Sequence, residues 1–263
     1  MGQKIVGSKA SLDIDYFLLN FYSQFEKIKI INNGLLYKTV LVNNKSDKSP
    51  LIIKIFPNSD YDIEIFSQMF NLMKTIKEKI DNKLIKPNSY TQFYNVCPIF
   101  YLENNTRAAV LIRQNFFYDL KERIYTLPYL TKIEKIWIIF QFFYGIYQLH
   151  ESDIYHGDIR MENILLTSNS SVFISDISPF KPAYIIINDI GMYTYYFGNN
   201  SNDNFRSCYL APERIVDKSE FDSKKEYMLT PAMDIFSAGI IFAELILEEN
   251  LLDFSKIANY KKK

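Results

Sequence analysis

The chain has 263 residues, 48% of them hydrophobic and 16% aromatic, which is enough apolar material for one large domain or two lobes. Thirty Lys and Arg offset thirty Asp and Glu, so no general electrostatic attraction draws it to nucleic acid, and any phosphate must be held locally. Two cysteines, Cys97 and Cys208, exclude a disulfide framework and suit a reducing, cytosolic setting. The longest nearly apolar stretch, Ile235 to Leu247, contains Glu244 and falls short of the roughly 20 residues that span a bilayer.

Met1 to Ala10 lacks the apolar core of a secretory signal. Gly2 follows the initiator methionine and is a candidate for N-myristoylation, although the pattern wants Ser or Thr at the sixth position, where this chain has Val6, and Ser8 comes two places late. From Phe17 to Phe56 the sequence predicts three strands, Lys27 to Ile31, Tyr37 to Val42 and Leu51 to Phe56. Lys54 interrupts the third. It is either an edge lysine turned to water or a buried cation reaching nucleotide phosphates, and its place upstream of the stretch described next favours the second. A glycine loop cradling phosphates belongs between the first two strands, but only Gly34 is there, after Asn32 and Asn33, where a plain hairpin turn is the simplest reading.

Asp60 to Ile80 has helical spacing and offers Glu64 and Glu78 as partners for Lys54, without choosing between them. Ala108 to Ile112 reads as a buried strand leading through Arg113 to Phe117 into a helix that starts near Tyr118 and Asp119. Thr131 to His150 predicts a long helix with Thr131 as N-cap, Glu134 as its capping-box partner, and Ile133, Ile136, Trp137, Phe140, Phe143, Tyr144 and Leu149 on the buried side.

The chemistry concentrates in His156-Gly157-Asp158-Ile159-Arg160-Met161-Glu162-Asn163, with Asp176 thirteen residues beyond the asparagine. Moving a phosphoryl group takes a carboxylate beside the attacking hydroxyl, plus an amide oxygen and a second carboxylate for the magnesium ions that bridge the phosphates. Asp158, Asn163 and Asp176 supply these in that order, and Arg160 is placed to touch the γ-phosphate. His156 is expected to fix the loop through backbone hydrogen bonds. Farther on come Ala211-Pro212-Glu213 and Met233 to Gly239, whose Asp234 is expected to bind N–H groups of the catalytic loop.

Taken in this order the motifs resemble the eukaryotic protein kinases over residues 25 to 250. His-Gly-Asp-Ile-Arg at 156 to 160, Phe180-Lys181-Pro182, Cys208 to Arg214, and Met233 to Gly239 with Ala243-Glu244-Leu245 narrow the match. They resemble the kinase-like regulatory subunits that partner class III phosphatidylinositol 3-kinase in vacuolar sorting. The resemblance implies an α+β, two-lobed kinase-like fold: an N-terminal segment over 1–24, a small lobe and hinge over 25–117, and a large lobe over 118–263 that is expected to be incomplete, the sequence being either a fragment or an incomplete gene model.

It also implies ATP or GTP with Mg2+ held by Lys54, Gly34, Asn163 and Asp176, and catalysis by Asp158 and Arg160 on a protein Ser or Thr. Beyond the site it implies a lipid anchor on Gly2, the lipid kinase's catalytic subunit as partner, and a cytoplasmic location on endosomal and autophagic membranes. Gly157 stands where many kinases carry an arginine that pairs with a phosphorylated activation loop, and Asp176-Ile177-Ser178 replaces Asp-Phe-Gly, so control by that route is not expected. An active kinase and a pseudokinase scaffold with structural nucleotide both remain open. A small-molecule kinase of the aminoglycoside or choline type is disfavoured by Ala211-Pro212-Glu213 and Asp234. Without the arginine that pairs with Glu213 in the family, that carboxylate is expected to be buried and unpartnered.

Overall fold

The computed structural model describes residues 13–33, 38–58, 78, 95–96, 100–101, 107–151, 153–176, 183–186, 207–219 and 228–261. The chain divides into two compact units, one of residues 5–75 and 94–115, the other of 1–4, 76–93 and 116–263. Gly2, Gly34, Glu64, Ile177, Ser178 and Phe180 to Pro182 lie outside the described residues.

The first unit opens with helix α1 (Ile14–Phe21), capped by Asp13, whose carboxylate accepts the N–H groups of Asp15 and Tyr16 at 2.9 and 3.2 Å. Strands β1 (Phe25–Asn33), β2 (Lys38–Asn44), β3 (Pro50–Asn58), β4 (Asn95–Val96), β5 (Phe100–Tyr101) and β6 (Arg107–Gln114) follow. They pair antiparallel in the order β1-β2-β3-β6-β4, and β5 also pairs with β6. Alternation sends Val40 and Val42 of β2 and Ile53 and Ile55 of β3 to one face, where they meet Ile14, Phe17, Leu18 and Tyr22. Ile52 and Lys54 point to the other face and are also buried, Lys54 at 9% exposure. The strand lysine is therefore not an edge residue in water.

In the second unit the elements are β7 (Tyr118–Asp119), α2 (Leu120–Ile124), α3 (Lys132–His150), a 3-10 turn at Met161–Asn163, β8 (Ile164–Leu166) and β9 (Val172–Ile174). After these come β10 (Ile185–Ile186), a second 3-10 turn at Pro212–Arg214, β11 (Ile215–Val216), α4 (Pro231–Leu247) and α5 (Phe254–Lys261). β7, β8 and β9 form an antiparallel sheet, and β10 runs parallel to β11. One core joins Ile138, Phe142, Ile146 and Leu149 of α3 to Ile164 and Leu166 of β8, Val172 and Ile174 of β9, and Ala238, Ile241 and Leu245 of α4. Each of these side chains larger than alanine contributes about 1.5–3 kcal/mol by leaving water. The α+β class expected from the sequence is the one the chain adopts.

The capping box at the start of α3 forms as expected, with the Thr131 side chain taking the Glu134 N–H and the Glu134 carboxylate taking the Thr131 N–H at 2.7 Å. The face it buries is different. Ile133, Ile136, Trp137, Phe140 and Tyr144 are exposed, Ile133 at 80%, and Trp137, Phe140 and Tyr144 stack on one another along the outside of the helix. Because the helix is apolar nearly all round, periodicity alone does not choose its inner side. Gln141 helps to: its amide donates to Ser170 O at 2.9 Å and accepts from Val172 N at 3.2 Å, tying α3 to the β8–β9 turn.

A second expectation also fails. Glu213 is exposed and keeps its water, so it carries no burial penalty; the residue next to it, Arg214, is the buried one, at 2%.

Candidate active site

The loop between α3 and β8 is held by hydrogen bonds that leave each polar group a single role. The His156 ring accepts the Asp158 N–H at Nδ1 (3.2 Å) and donates from Nε2 to Ser175 O (2.6 Å), which assigns the proton to Nε2. Asn163 Nδ2 donates to Asp158 O at 2.7 Å and to Asp158 Oδ2 at 3.1 Å, closing a ring between the two residues. The Asn163 carbonyl accepts both the N–H and the hydroxyl of Ser175, at 2.8 and 3.1 Å, which seats Asp176 at the end of β9 beside the loop. Asp158, Asn163 and Asp176 are thus gathered in one unit, all buried, as their spacing predicts.

With Asn163 Nδ2 committed to Asp158, the amide oxygen is the atom left for a cation. Asp176 adds a carboxylate, held at φ +67, a backbone state that Asp tolerates better than most residues. Two hard oxygen donors at the end of a rigid loop fit Mg2+, which keeps water and phosphate oxygens for its other positions. Arg160 lies with Nε 3.6 Å from Asp158 Oδ1, so its guanidinium screens the carboxylate expected to meet the incoming hydroxyl. Lys54 sits in the other unit, on β3 opposite Thr39 of β2 and Leu111 of β6. Of its two possible partners, Glu78 is exposed and belongs to the helical unit.

Beneath the loop Asp234, on α4, accepts three donors: His150 Nε2 at 3.1 Å, His156 N at 2.7 Å and Gly157 N at 2.8 Å. Burial pushes the Asp234 carboxyl up, but the His150 hydrogen bond, the nearby His156 and the two N–H groups outweigh it and hold it below the ordinary carboxylate range. Gly157 has φ +71, and a Cβ there would meet Leu229 Cδ1 at 2.5 Å, so two independent constraints select glycine. Sequence reasoning missed Leu229 and Arg214. Arg214 stands directly after the Ala-Pro-Glu motif, where attention fell on the carboxylate.

Glu244, which interrupts the apolar run of α4, is buried and accepts Ser207 Oγ at 2.6 Å, Tyr209 Oη at 2.8 Å and Leu251 N at 3.1 Å. It pins the segment before Ala-Pro-Glu to the helix. Burial pushes the neighbouring Cys208 thiol up to about 12, so it stays protonated and is no nucleophile.

Asp119 caps α2, accepting the Glu122 N–H at 2.8 Å. Burial pushes its carboxyl up to about 6, against the pull of that bond, and the charges of Glu122 and Glu162 push further. A folded-state value raised from 3.8 means that the fold binds this proton more tightly than the unfolded chain does, so its contribution is present at acid pH and lost as pH rises from about 4 through about 6. Asp119→Asn keeps a capping oxygen and has no such proton. It is expected to flatten stability against pH between about 4 and 6, read by urea denaturation across that range.

Comparison with known proteins agrees with this geometry. The family model described as protein kinase domain matches residues 25–263. The serine/threonine-protein kinase VPS15 of Arabidopsis thaliana is 31% identical over 266 residues, covering 100% of this chain and 17% of that protein. Its namesake in Schizosaccharomyces pombe is 39% identical over 212 residues, 80% of this chain and 12% of that protein. VPS15 of Saccharomyces cerevisiae is 33% identical over 216 residues, 80% and 14%. This chain therefore spans less than a fifth of the length of these VPS15 relatives. A solved MAP kinase from Leishmania major shares the fold at a TM-score of 0.57 and 19% identity, covering 95% of this chain and 63% of that one. With the loop, the metal-competent oxygens and the Asp234 anchor all in place, the chain belongs to the protein kinase family, and its kinase domain is of the VPS15-like kind.

Proposed function

We propose that the chain binds Mg-nucleotide, through Asn163 and Asp176 on the metal and Lys54 on the phosphates, and works as the serine/threonine-kinase-like part of a regulatory subunit. The observation that carries this reading is the closed ring of hydrogen bonds through Asp158, Asn163, His156 and Ser175, which orients one carboxylate and one amide oxygen. Such preorganisation is what phosphoryl transfer draws on, because little covalent chemistry falls to the protein. Asn163 and Asp176 would hold Mg2+, which would supply neutralisation of the phosphate charge. Asp158 holds the proton of the incoming hydroxyl at its carboxylate, while Arg160 beside it sets the local charge. The resemblance to VPS15 extends the proposal to a phosphatidylinositol 3-kinase catalytic subunit as partner and to endosomal membranes, with Gly2 acylated and a second contact supplying the rest of the affinity.

The test is calorimetric titration of Mg-ATP and Mg-GTP into the full-length protein, its Asp176→Asn variant and its Asn163→Ala variant. Each substitution is expected to weaken Mg-nucleotide binding at least tenfold, about 1.4 kcal/mol. Unchanged affinity in both would remove the nucleotide site. A second reading, nucleotide as structural filler, draws on the ion pair between Arg160 and Asp158, which occupies the carboxylate. Turnover of labelled nucleotide decides: a signal lost in Asp158→Ala identifies a kinase, and equal signals in both proteins identify a scaffold.

A further inference from the structure

Arg214 is a long, charged side chain with 2% exposure, and its guanidinium is spent on two backbone carbonyls in distant parts of the chain. Nη1 donates to Gly157 O in the catalytic loop, and Nε donates to Ala183 O at 2.9 Å, just ahead of β10. Burying a guanidinium is costly unless its donors are satisfied, so an arginine kept here answers to those acceptors. Gly157 is gripped at both ends of the residue by buried charges of opposite sign. Its N–H points at the Asp234 carboxylate, 2.8 Å away, and its C=O at Arg214. The two peptides that flank Gly157 are therefore each fixed in orientation, the one before it by Asp234 and the one leading into Asp158 by Arg214 on its C=O and His156 Nδ1 on its N–H. Of the three segments joined by Arg214, that of Ala183 lies within the long stretch between Asp176 and Pro212 and that of Arg214 itself follows its end, and these two are joined again where Ile185 and Ile186 pair with Ile215 and Val216.

We propose that Arg214 is the positioning residue for Asp158: from the end of the segment it locks the catalytic loop through Gly157 O, so that alignment of the loop requires no phosphate on that segment. The chemistry that other kinases obtain from an arginine at the Gly157 position and an added anion is met here by an arginine on the opposite partner and a neutral carbonyl acceptor. The loop is consequently set by folding, and adding negative charge to the segment does not tighten it. The role of Asp158 in turnover rests on the function proposed above, whereas the locking of the loop does not.

The experiment compares the full-length protein with Arg214→Met, which keeps length but donates nothing, and Arg214→Lys, which keeps charge and reaches one carbonyl. Hydrogen exchange is followed over 155–160 and over α3 as internal reference. Arg214→Met is expected to speed exchange over 155–160 at least tenfold with α3 unchanged, and Arg214→Lys to restore part of the protection. Where the wild type turns over nucleotide, kcat is expected to fall at least tenfold with KM for nucleotide within twofold. Wild-type exchange over 155–160 in Arg214→Met, or equal acceleration in α3, would overturn the proposal and leave Arg214 as a packing residue. If Arg214→Met does not fold, Arg214→Lys carries the same comparison. Absence of turnover in the wild type counts against phosphoryl transfer, and the exchange result still decides the role of Arg214.

Discussion

Placing arginine at position 157, the residue many kinases have there, is expected to destabilise this chain by about 2–5 kcal/mol instead of restoring a missing part. Two costs combine. The backbone at Gly157 has φ +71, and moving a residue with a Cβ into that region costs about 1–2 kcal/mol. The Cβ itself would sit 2.5 Å from Leu229 Cδ1 and 2.9 Å from Cδ2. A leucine tip can swing away, but Leu229 packs on the cluster of Ala183, Tyr184 and Val216, and forcing extra atoms into such a cluster costs about 1–3 kcal/mol. Urea denaturation of Gly157→Arg, Gly157→Ala, Leu229→Ala and Gly157→Ala/Leu229→Ala separates the two. The double variant is expected to recover the packing part relative to the sum of the single changes and to retain the backbone part. If Gly157→Arg were as stable as wild type, glycine here would be a matter of lineage and not of geometry.

That glycine shows which features could be read from sequence and which could not. Asp158, Asn163 and Asp176 were legible from their order and spacing in the chain, and in the structure short bonds join Asn163 to Asp158 and to Ser175, the residue before Asp176. Asp234 was legible for the same reason, at the head of an apolar helix. Strand β3 and its buried Lys54 followed from an apolar run with one cation, and the N-terminus of α3 followed from its capping box. The inner face of α3 did not follow, since burial is decided by what arrives from elsewhere in the chain, and Ile133, Trp137 and Phe140 are as apolar as Ile138, Phe142 and Ile146. Arg214 and Leu229 were hidden for a related reason. Both act on Gly157 from more than fifty positions away, one by a guanidinium on a carbonyl and the other by a methyl against a Cα, and neither contact leaves a local pattern.

The same loop depends on Asp234 from below, and its removal has the larger reach. Asp234→Ala is expected to cost about 3–5 kcal/mol, because it strips the partner from three donors at once in a site that is 2% exposed. His150 Nε2 and the N–H groups of His156 and Gly157 would each lose the Asp234 acceptor, while the Arg214 bond to Gly157 O and the Asp158 N–H bond to His156 Nδ1 remain. Asp234→Asn is expected to cost less, since one amide oxygen still accepts, but its NH2 group would oppose a donor at the second position. The two variants also differ from wild type in acid. The wild-type carboxyl is held below its ordinary value of 3.8, so its stabilisation is fully present above that pH and is lost as pH falls through the lower folded-state value. Neither variant has this group, so each should show a shallower loss of stability below about pH 4 than wild type. Denaturant midpoints at pH 7 and at several points below pH 4 measure both effects. A wild-type midpoint at neutral pH in Asp234→Ala would mean that the three donors find other acceptors, and that the loop is held chiefly by His156, Asn163 and Arg214.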